Sequence, residues 1–208
     1  MDDDARRLIG ELRPYVGDER VLAAMASVPR DLFVPPRARA HAWDNRALGI
    51  GWGQTISQPL VVARMAELLD LRPEDRVLDV GTGSGYAAAV LARLAAHVWS
   101  IERHPELSER AADALAAAGA RNITLLVGDG TRGLPEQAPF DAINVAAAGT
   151  PDALADLEAQ LALGGRLVAP VSEAEQRLVV VGRTEGGLER RLFEEVRFVP
   201  LVREHERD

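Results

Sequence analysis

The run Val77-Leu78-Asp79-Val80-Gly81-Thr82-Gly83-Ser84-Gly85-Tyr86 reads as a short apolar strand ending in a tight glycine turn that opens a helix. On either side of it, short β-rich runs alternate with helical segments. Strands are expected at Arg76–Val80, Val98–Ile101, Thr124–Val127, Ala142–Val145 and Arg166–Pro170. Helices are expected at Ser84–Ala95, at Pro105–Ala118 closed by Gly119, and at Pro151–Leu163 closed by Gly164-Gly165. Strand–helix alternation of this kind implies a parallel sheet with its crossovers packed on both faces. After Pro170 the helical pattern stops, and Gln176–Val181 and Leu192–Val199, separated by Glu185-Gly186-Gly187, read as an antiparallel edge hairpin. The expected fold is therefore a doubly wound, mostly parallel, seven-stranded Rossmann-like α/β sheet.

Before the sheet, Ala5–Arg13 and Glu19–Ser27 carry apolar residues at helical spacing, with Asp18 placed to cap the second. Pro29–Gln58 has little periodicity and reads as a long loop, either a functional lid or a segment with unrecognised structure. Pro59 suits the first turn of a helix running to about Leu69. The 208 residues are expected to form one domain, with residues 1–75 as a helical and loop arm and 76–208 as the ligand-binding core.

The glycines fall at 81, 83 and 85, and Tyr86 stands where the third glycine of a dinucleotide fingerprint would be. That spacing disfavours a nicotinamide-dependent oxidoreductase. Asp79 adds a carboxylate at the strand's end, which would repel a pyrophosphate but suits a ligand with an ammonium group. S-adenosylmethionine has such a group and no phosphate. Glu102 ends the next strand, where a carboxylate can accept from ribose hydroxyls, and Asp129 follows the one after, within reach of an adenine amino group. The plainer reading of each acid is a helix cap or turn residue.

Composition narrows the classes further. With 24 Lys plus Arg against 32 Asp plus Glu the formal charge is −8, which argues against a nucleic-acid partner. The 47% hydrophobic and 27% charged fractions are those of a globular chain. No apolar run approaches ~20 residues, and Met1-Asp2-Asp3-Asp4 lacks a basic n-region, so a cytoplasmic location without membrane association is expected. There is no cysteine, and His41, His97, His104 and His205 show no metal-ligand spacing; no metal is expected.

The segment Ile50-Gly51-Trp52-Gly53-Gln54-Thr55-Ile56-Ser57-Gln58-Pro59 resembles a motif of the protein-L-isoaspartate O-methyltransferase family, and Val77–Tyr86 resembles that family's cofactor loop. Further likeness runs through Arg30–Pro36, Gly128-Asp129-Gly130, Ala138-Pro139-Phe140-Asp141, Gly164-Gly165-Arg166 and Phe198-Val199-Pro200-Leu201. The Gln54–Pro59 run is more specific than the glycine turn, which many methyltransferases share. The resemblance implies an S-adenosylmethionine-dependent enzyme that esterifies the free carboxylate of L-isoaspartyl residues in damaged proteins. The ester then cyclises to a succinimide, whose hydrolysis returns some normal aspartate. Carried over residue by residue, the resemblance makes Ser57 catalytic and assigns the cofactor to Thr55, Ile56, Ser57, Asp79, Gly81, Gly83, Glu102, Arg103, Asp129 and Gly130. Gln54, Ser57 and the strand around Val199 fall to the substrate, and the working unit is expected to be a monomer.

The chemistry agrees with what the sequence lacks. A carboxylate with reference pKa near 4 is already ionised at neutral pH, so its methylation needs orientation and water exclusion more than a general base. The plainer reading of Ser57 is an N-cap for the Pro59 helix, and Trp43 and Trp52 either cover the cofactor or anchor the arm. Three positions depart from the family's pattern: Ala146, where many members carry threonine or glycine, Asn144 within an apolar strand, and Ser172 after Pro170-Val171. The first two keep open a relative that methylates a normal aspartate in one dedicated precursor peptide. A non-catalytic S-adenosylmethionine-binding module is the alternative of another class.

Overall fold

The computed structural model describes residues 3–203; Met1, Asp2, His205 and the rest of the charged tail lie outside the described residues. The chain opens with α1 (Asp3–Leu12), which buries Leu8, Ile9 and Leu12, and α2 (Glu19–Ser27). Asp18 caps α2 as expected, its carboxylate accepting from the Arg20 amide at 2.8 Å.

The expected long loop is not structureless. It contains two 3₁₀ turns, Arg30–Phe33 and Pro36–His41, and an antiparallel hairpin of β1 (Leu48–Gly51) and β2 (Gln54–Ile56). The hairpin escapes a periodicity reading because β2 has only three residues and the tip Gly51-Trp52-Gly53 lies wholly in left-handed backbone. Then α3 (Pro59–Leu69) starts on its proline, as expected.

The core follows as β3 (Arg76–Val80), α4 (Tyr86–Leu91), β4 (His97–Glu102), α5 (Pro105–Ala117), β5 (Ile123–Val127) and β6 (Phe140–Val145). It continues with α6 (Ala155–Glu158), β7 (Leu161–Ser172), β8 (Gln176–Thr184) and β9 (Gly187–Glu195). The sheet has seven strands in the order β5-β4-β3-β6-β7-β8-β9, with the first five parallel and the last two antiparallel. This is the expected doubly wound sheet with its edge hairpin. The strand order reverses between the parallel neighbours β3 and β6, so a crevice opens at their carboxyl ends.

Three boundaries differ for identifiable reasons. Gly85, at φ +87°, cannot be a helical residue, so α4 begins at Tyr86, and from Arg93 the bonds tighten to i→i−3. The expected Pro151–Leu163 helix is instead a 3₁₀ turn, Pro151–Leu154, followed by a single turn, α6. Gln160 ends it, because its side chain bonds the Leu134 amide and the Arg132 carbonyl while its own carbonyl takes the Phe140 amide. Gly164-Gly165 therefore lies inside β7, beside the irregularity where Phe140 and Ala142 change register. Lastly, β9 stops at Glu195, so Val199 lies on an extended segment past the hairpin, where its carbonyl accepts from the Ala148 amide at 2.8 Å.

Side-chain alternation along β3 divides the core. Val77 joins an apolar cluster with Leu12, Leu22, Met25, Trp43, Ile56 and Leu69 of the first 75 residues, while Leu78 and Val80 face Phe140, Leu157 and Leu167 on the opposite side.

Candidate active site

The crevice at the carboxyl ends of β3, β4 and β6 has a volume of about 940 Å³, including its open mouth. Its floor is the glycine turn. Gly81 and Thr82 both donate their amides to the Ile101 carbonyl, at 2.9 and 3.2 Å, which ties the turn to β4. Gly81, Gly83 and Gly85 all have positive φ, and Gly81 and Gly83, lacking a Cβ, line the crevice with bare backbone, while Gly85 packs against Ala111 and Leu115 of α5. Glu102, 5% exposed, braces this turn: one carboxylate oxygen accepts from the Gly83 amide at 2.8 Å and the other from the His104 amide at 3.0 Å.

The facing wall comes from the hairpin's exit, with Gln54, Thr55, Ile56 and Ser57. Ser57 is not the cap of α3. Gln58 occupies the N-cap position without a side-chain bond, and the Ser57 hydroxyl has no hydrogen-bond partner among the described residues. Its carbonyl, by contrast, is fixed by Arg30 Nη2 at 2.8 Å. Arg103 and Gly130 also line the crevice, as does Val199.

Two expected ligand carboxylates lie elsewhere. Asp79 is fully buried beneath the turn and absent from the crevice lining, with one oxygen accepting from Ser100 Oγ at 2.6 Å and the other from Asn144 Nδ2 at 2.7 Å. Thr82 Oγ1 lies 2.6 Å from the Ser100 hydroxyl, which joins the network to the turn above. Burial pushes the Asp79 carboxyl up to about 6; the bonds from Ser100 and Asn144 oppose that rise and the Glu102 charge adds to it. The carboxylate expected to meet an ammonium group is thus enclosed in the structure, and its donors are internal. Asp129 fits the plainer reading, for its Oδ1 accepts from the Thr131 amide at 2.9 Å and the Thr131 hydroxyl at 2.7 Å. It borders a separate surface hollow with Arg132 and Arg203.

A second groove, lined by Gln58, Val61, Glu175, Gln176 and Phe198 among others, meets the crevice along shared residues: Thr55, Ser57, Ala146 and Val199. The departure at Ala146 thus lies on the partition between the two spaces, and that at Asn144 is the partner of Asp79. Sequence reasoning missed Tyr86 and His104 on the crevice wall, and missed the Asn144–Asp79–Ser100 network, because strand pairing alone brings positions 65 and 21 residues apart together. Trp43 is buried in the arm's core, as the anchor reading has it. Trp52 sits at the hairpin tip, with the Arg110 guanidinium 4.5 Å over its ring, and neither tryptophan lines the crevice. Among the described residues, no three His, Asp or Glu side chains group as a metal site, and no helix is long and apolar enough to cross a membrane.

Residues 4–206 match the family described as protein-L-isoaspartate(D-aspartate) O-methyltransferase. A protein-L-isoaspartate O-methyltransferase of Methanoculleus marisnigri is 54% identical over 188 residues, covering 90% of this chain and 85% of the relative. One from Roseiflexus sp. is 52% identical over 191 residues, covering 91% and 87%. Among solved structures, a protein-L-isoaspartate O-methyltransferase superposes with a TM-score of 0.84 at 27% identity, covering 94% of this chain and 65% of the other. A candidate enzyme of that name from Plasmodium falciparum, solved with S-adenosyl-L-homocysteine, gives 0.82 at 24% identity, covering 97% and 99%; at that identity it speaks for the fold.

Proposed function

The chain belongs to the protein-L-isoaspartate(D-aspartate) O-methyltransferase family, and from that premise we infer how its residues carry out methyl transfer from S-adenosylmethionine to the free carboxylate of L-isoaspartyl residues. The ester initiates repair by closing to a succinimide. The crevice suits the cofactor: a bare glycine turn admits a ligand to the backbone, and Glu102 retains lone pairs for ribose hydroxyls. When bound, S-adenosylmethionine supplies a methyl group already activated on a sulfonium. Gly81, Gly83, Arg103, Gly130 and the Thr55–Ser57 wall surround it in this reading. Asp79 acts at one remove, holding Ser100 and Asn144 beneath the turn.

The observation that carries the assignment of Ser57 is its place on the partition, where crevice and groove share Thr55, Ser57, Ala146 and Val199. An acceptor side chain entering from the groove meets a hydroxyl that no other described residue engages. Ser57 donates to one carboxylate oxygen and turns the other toward the methyl group; Gln54 and the Val199 segment bound the peptide. Burial of an anion beside a sulfonium favours a reaction that neutralises both, so the residues excluding water serve the rate as well as binding.

We place the enzyme in the cytoplasm, where S-adenosylmethionine is available. It works as a monomer there, since one chain completes both crevice and groove, and its charge of −8 disfavours a nucleic-acid substrate.

An isoaspartyl residue routes the main chain through the side-chain carbonyl, which leaves the acceptor carboxylate on an arm shorter by one methylene. A misplacement of about 1 Å costs ~100-fold in rate. An isoaspartyl hexapeptide should therefore be methylated at least ~100-fold more efficiently than its aspartyl twin. Ser57→Ala should lower kcat ~10–1,000-fold and leave S-adenosylhomocysteine affinity within a few-fold. Equal turnover of the two peptides would overturn the repair reading in favour of a dedicated aspartyl substrate.

A further inference from the structure

Arg30 is among the largest fully buried side chains of the described residues and forms no ion pair with any of them. An enclosed guanidinium without a counter-anion is destabilising unless its contacts compensate. Three contacts offset part of that cost, with Nη1 left without a hydrogen-bond partner among the described residues, and they come from three parts of the chain. Nε donates to the Ala42 carbonyl at 2.8 Å, Nη2 donates to the Ser57 carbonyl at 2.8 Å, and the guanidinium carbon lies 4.5 Å from the centroid of the Tyr86 ring. Tyr86 is the first residue of α4, directly after Gly85 of the glycine turn. Phe33, from the same 3₁₀ turn as Arg30, meets that ring edge-on at 5.7 Å.

We propose that Arg30 is a positioning residue for the methyl-transfer step, fixing the peptide of Ser57 at a set height above the cofactor turn. The proposal rests on the catalytic reading of Ser57. Ser57 joins β2 to α3, and the Arg30 bond is what fixes its carbonyl. Without that bond the carbonyl would be free to turn, carrying the hydroxyl with it. Because the same guanidinium rests on Tyr86, Ser57 is indexed to the turn that faces the cofactor as well as to the arm. The planar fork reaches two carbonyls and a ring at once; a lysine ammonium, a point charge, would hold one carbonyl at most.

The test is a double-mutant cycle in the full chain, read as kcat and KM for an isoaspartyl hexapeptide, with S-adenosylhomocysteine affinity measured by calorimetry. Arg30→Met should lower kcat ~10–100-fold while cofactor affinity stays within ~3-fold. In the Ser57→Ala background the same change should move kcat by less than ~3-fold, since the group being positioned is gone. Arg30→Lys should recover part of the loss; where Arg30→Met fails to fold, the cycle is run on Arg30→Lys, which keeps the buried cation. An unchanged kcat in Arg30→Met, or an equal loss with and without Ser57, overturns the proposal and leaves Ser57 catalytic. An unchanged kcat in Ser57→Ala removes the reading of Ser57 itself and this proposal with it.

Discussion

Asp79 carries its carboxyl where ionisation is least favoured, and that has a measurable sign. Its folded value of about 6 lies above the ordinary 3.8, so between those values the folded protein binds more protons than the unfolded chain. The stability it contributes is complete below about pH 4 and is lost as pH rises through about 6. Asp79→Asn cannot ionise, and its amide can still pair with Ser100 and Asn144. The melting temperature of the parent minus that of Asp79→Asn should therefore fall between about pH 4 and 7; a flat or rising difference would mean the native carboxyl is ionised throughout. Glu102 supplies a contrasting case, because its oxygens brace the backbone of the cofactor turn from the side. Glu102→Ala should weaken S-adenosylhomocysteine by about 1–3 kcal/mol in calorimetry, through lost charge-assisted bonds and a looser Gly83. No change in affinity would remove Glu102 from the site. The places of Glu102 and Ser57 on the crevice wall were legible in the sequence because a strand's last residue and a loop motif declare their place locally. The places of Asp79 and Asp129 outside the crevice lining were not: where a carboxylate turns depends on donors the sheet brings in from afar, Ser100 and Asn144 for the one, or on a hydroxyl two residues on, Thr131, for the other.

Among the elements, β7 shows how a glycine pair can mislead. Gly164-Gly165 after an alanine-rich run reads as a helix stop, yet both residues lie inside β7 at a change of register, Gly164 with a left-handed φ of +79°. A Cβ on Gly165 would sit 2.9 Å from the Ala162 carbonyl oxygen and 3.0 Å from that of Phe140, both backbone atoms that cannot swing aside. Gly165→Ala should thus destabilise by about 1–3 kcal/mol in denaturant titration, as overpacking does, and a neutral result would show that the β6–β7 junction yields. Four of the five parallel strands, and the Arg166–Pro170 part of β7, were legible because each is a short apolar run bounded by turn residues, and α2, α3 and α5 because caps and prolines mark their starts. What escaped were elements set by tertiary bonds: the three-residue β2, held by its pairing with β1, and the helix that Gln160 cuts short. Neither signal is periodic.

At the scale of the whole molecule, the question is whether the first 75 residues are an accessory to the sheet or part of its core. One apolar cluster runs from Leu8 and Leu12 through Trp43 and Leu69 to Val77, Val98 and Val168, and Arg166 of β7 donates to the carbonyls of Leu69 and Asp70. Cofactor crevice and core are thus both closed by the arm, which brings Ser57 against a turn belonging to the sheet. An element that buries so much of its apolar face on another unfolds with it. The tryptophans allow a direct check, since Trp43 belongs to the cluster on the arm side and Trp99 packs against Phe140 on the opposite face. Variants retaining only Trp43 (Trp52→Phe, Trp99→Phe) and only Trp99 (Trp43→Phe, Trp52→Phe) should each report, by fluorescence in guanidinium chloride, a transition coincident with that of far-UV circular dichroism. S-adenosylhomocysteine at 100 times its dissociation constant should raise the stability seen by both reporters equally, by about 2.7 kcal/mol, because a ligand held between arm and sheet binds neither alone. An earlier Trp43 transition, or one that the ligand shifts by itself, would make the arm a separately folding lid and would divide the protein near residue 75.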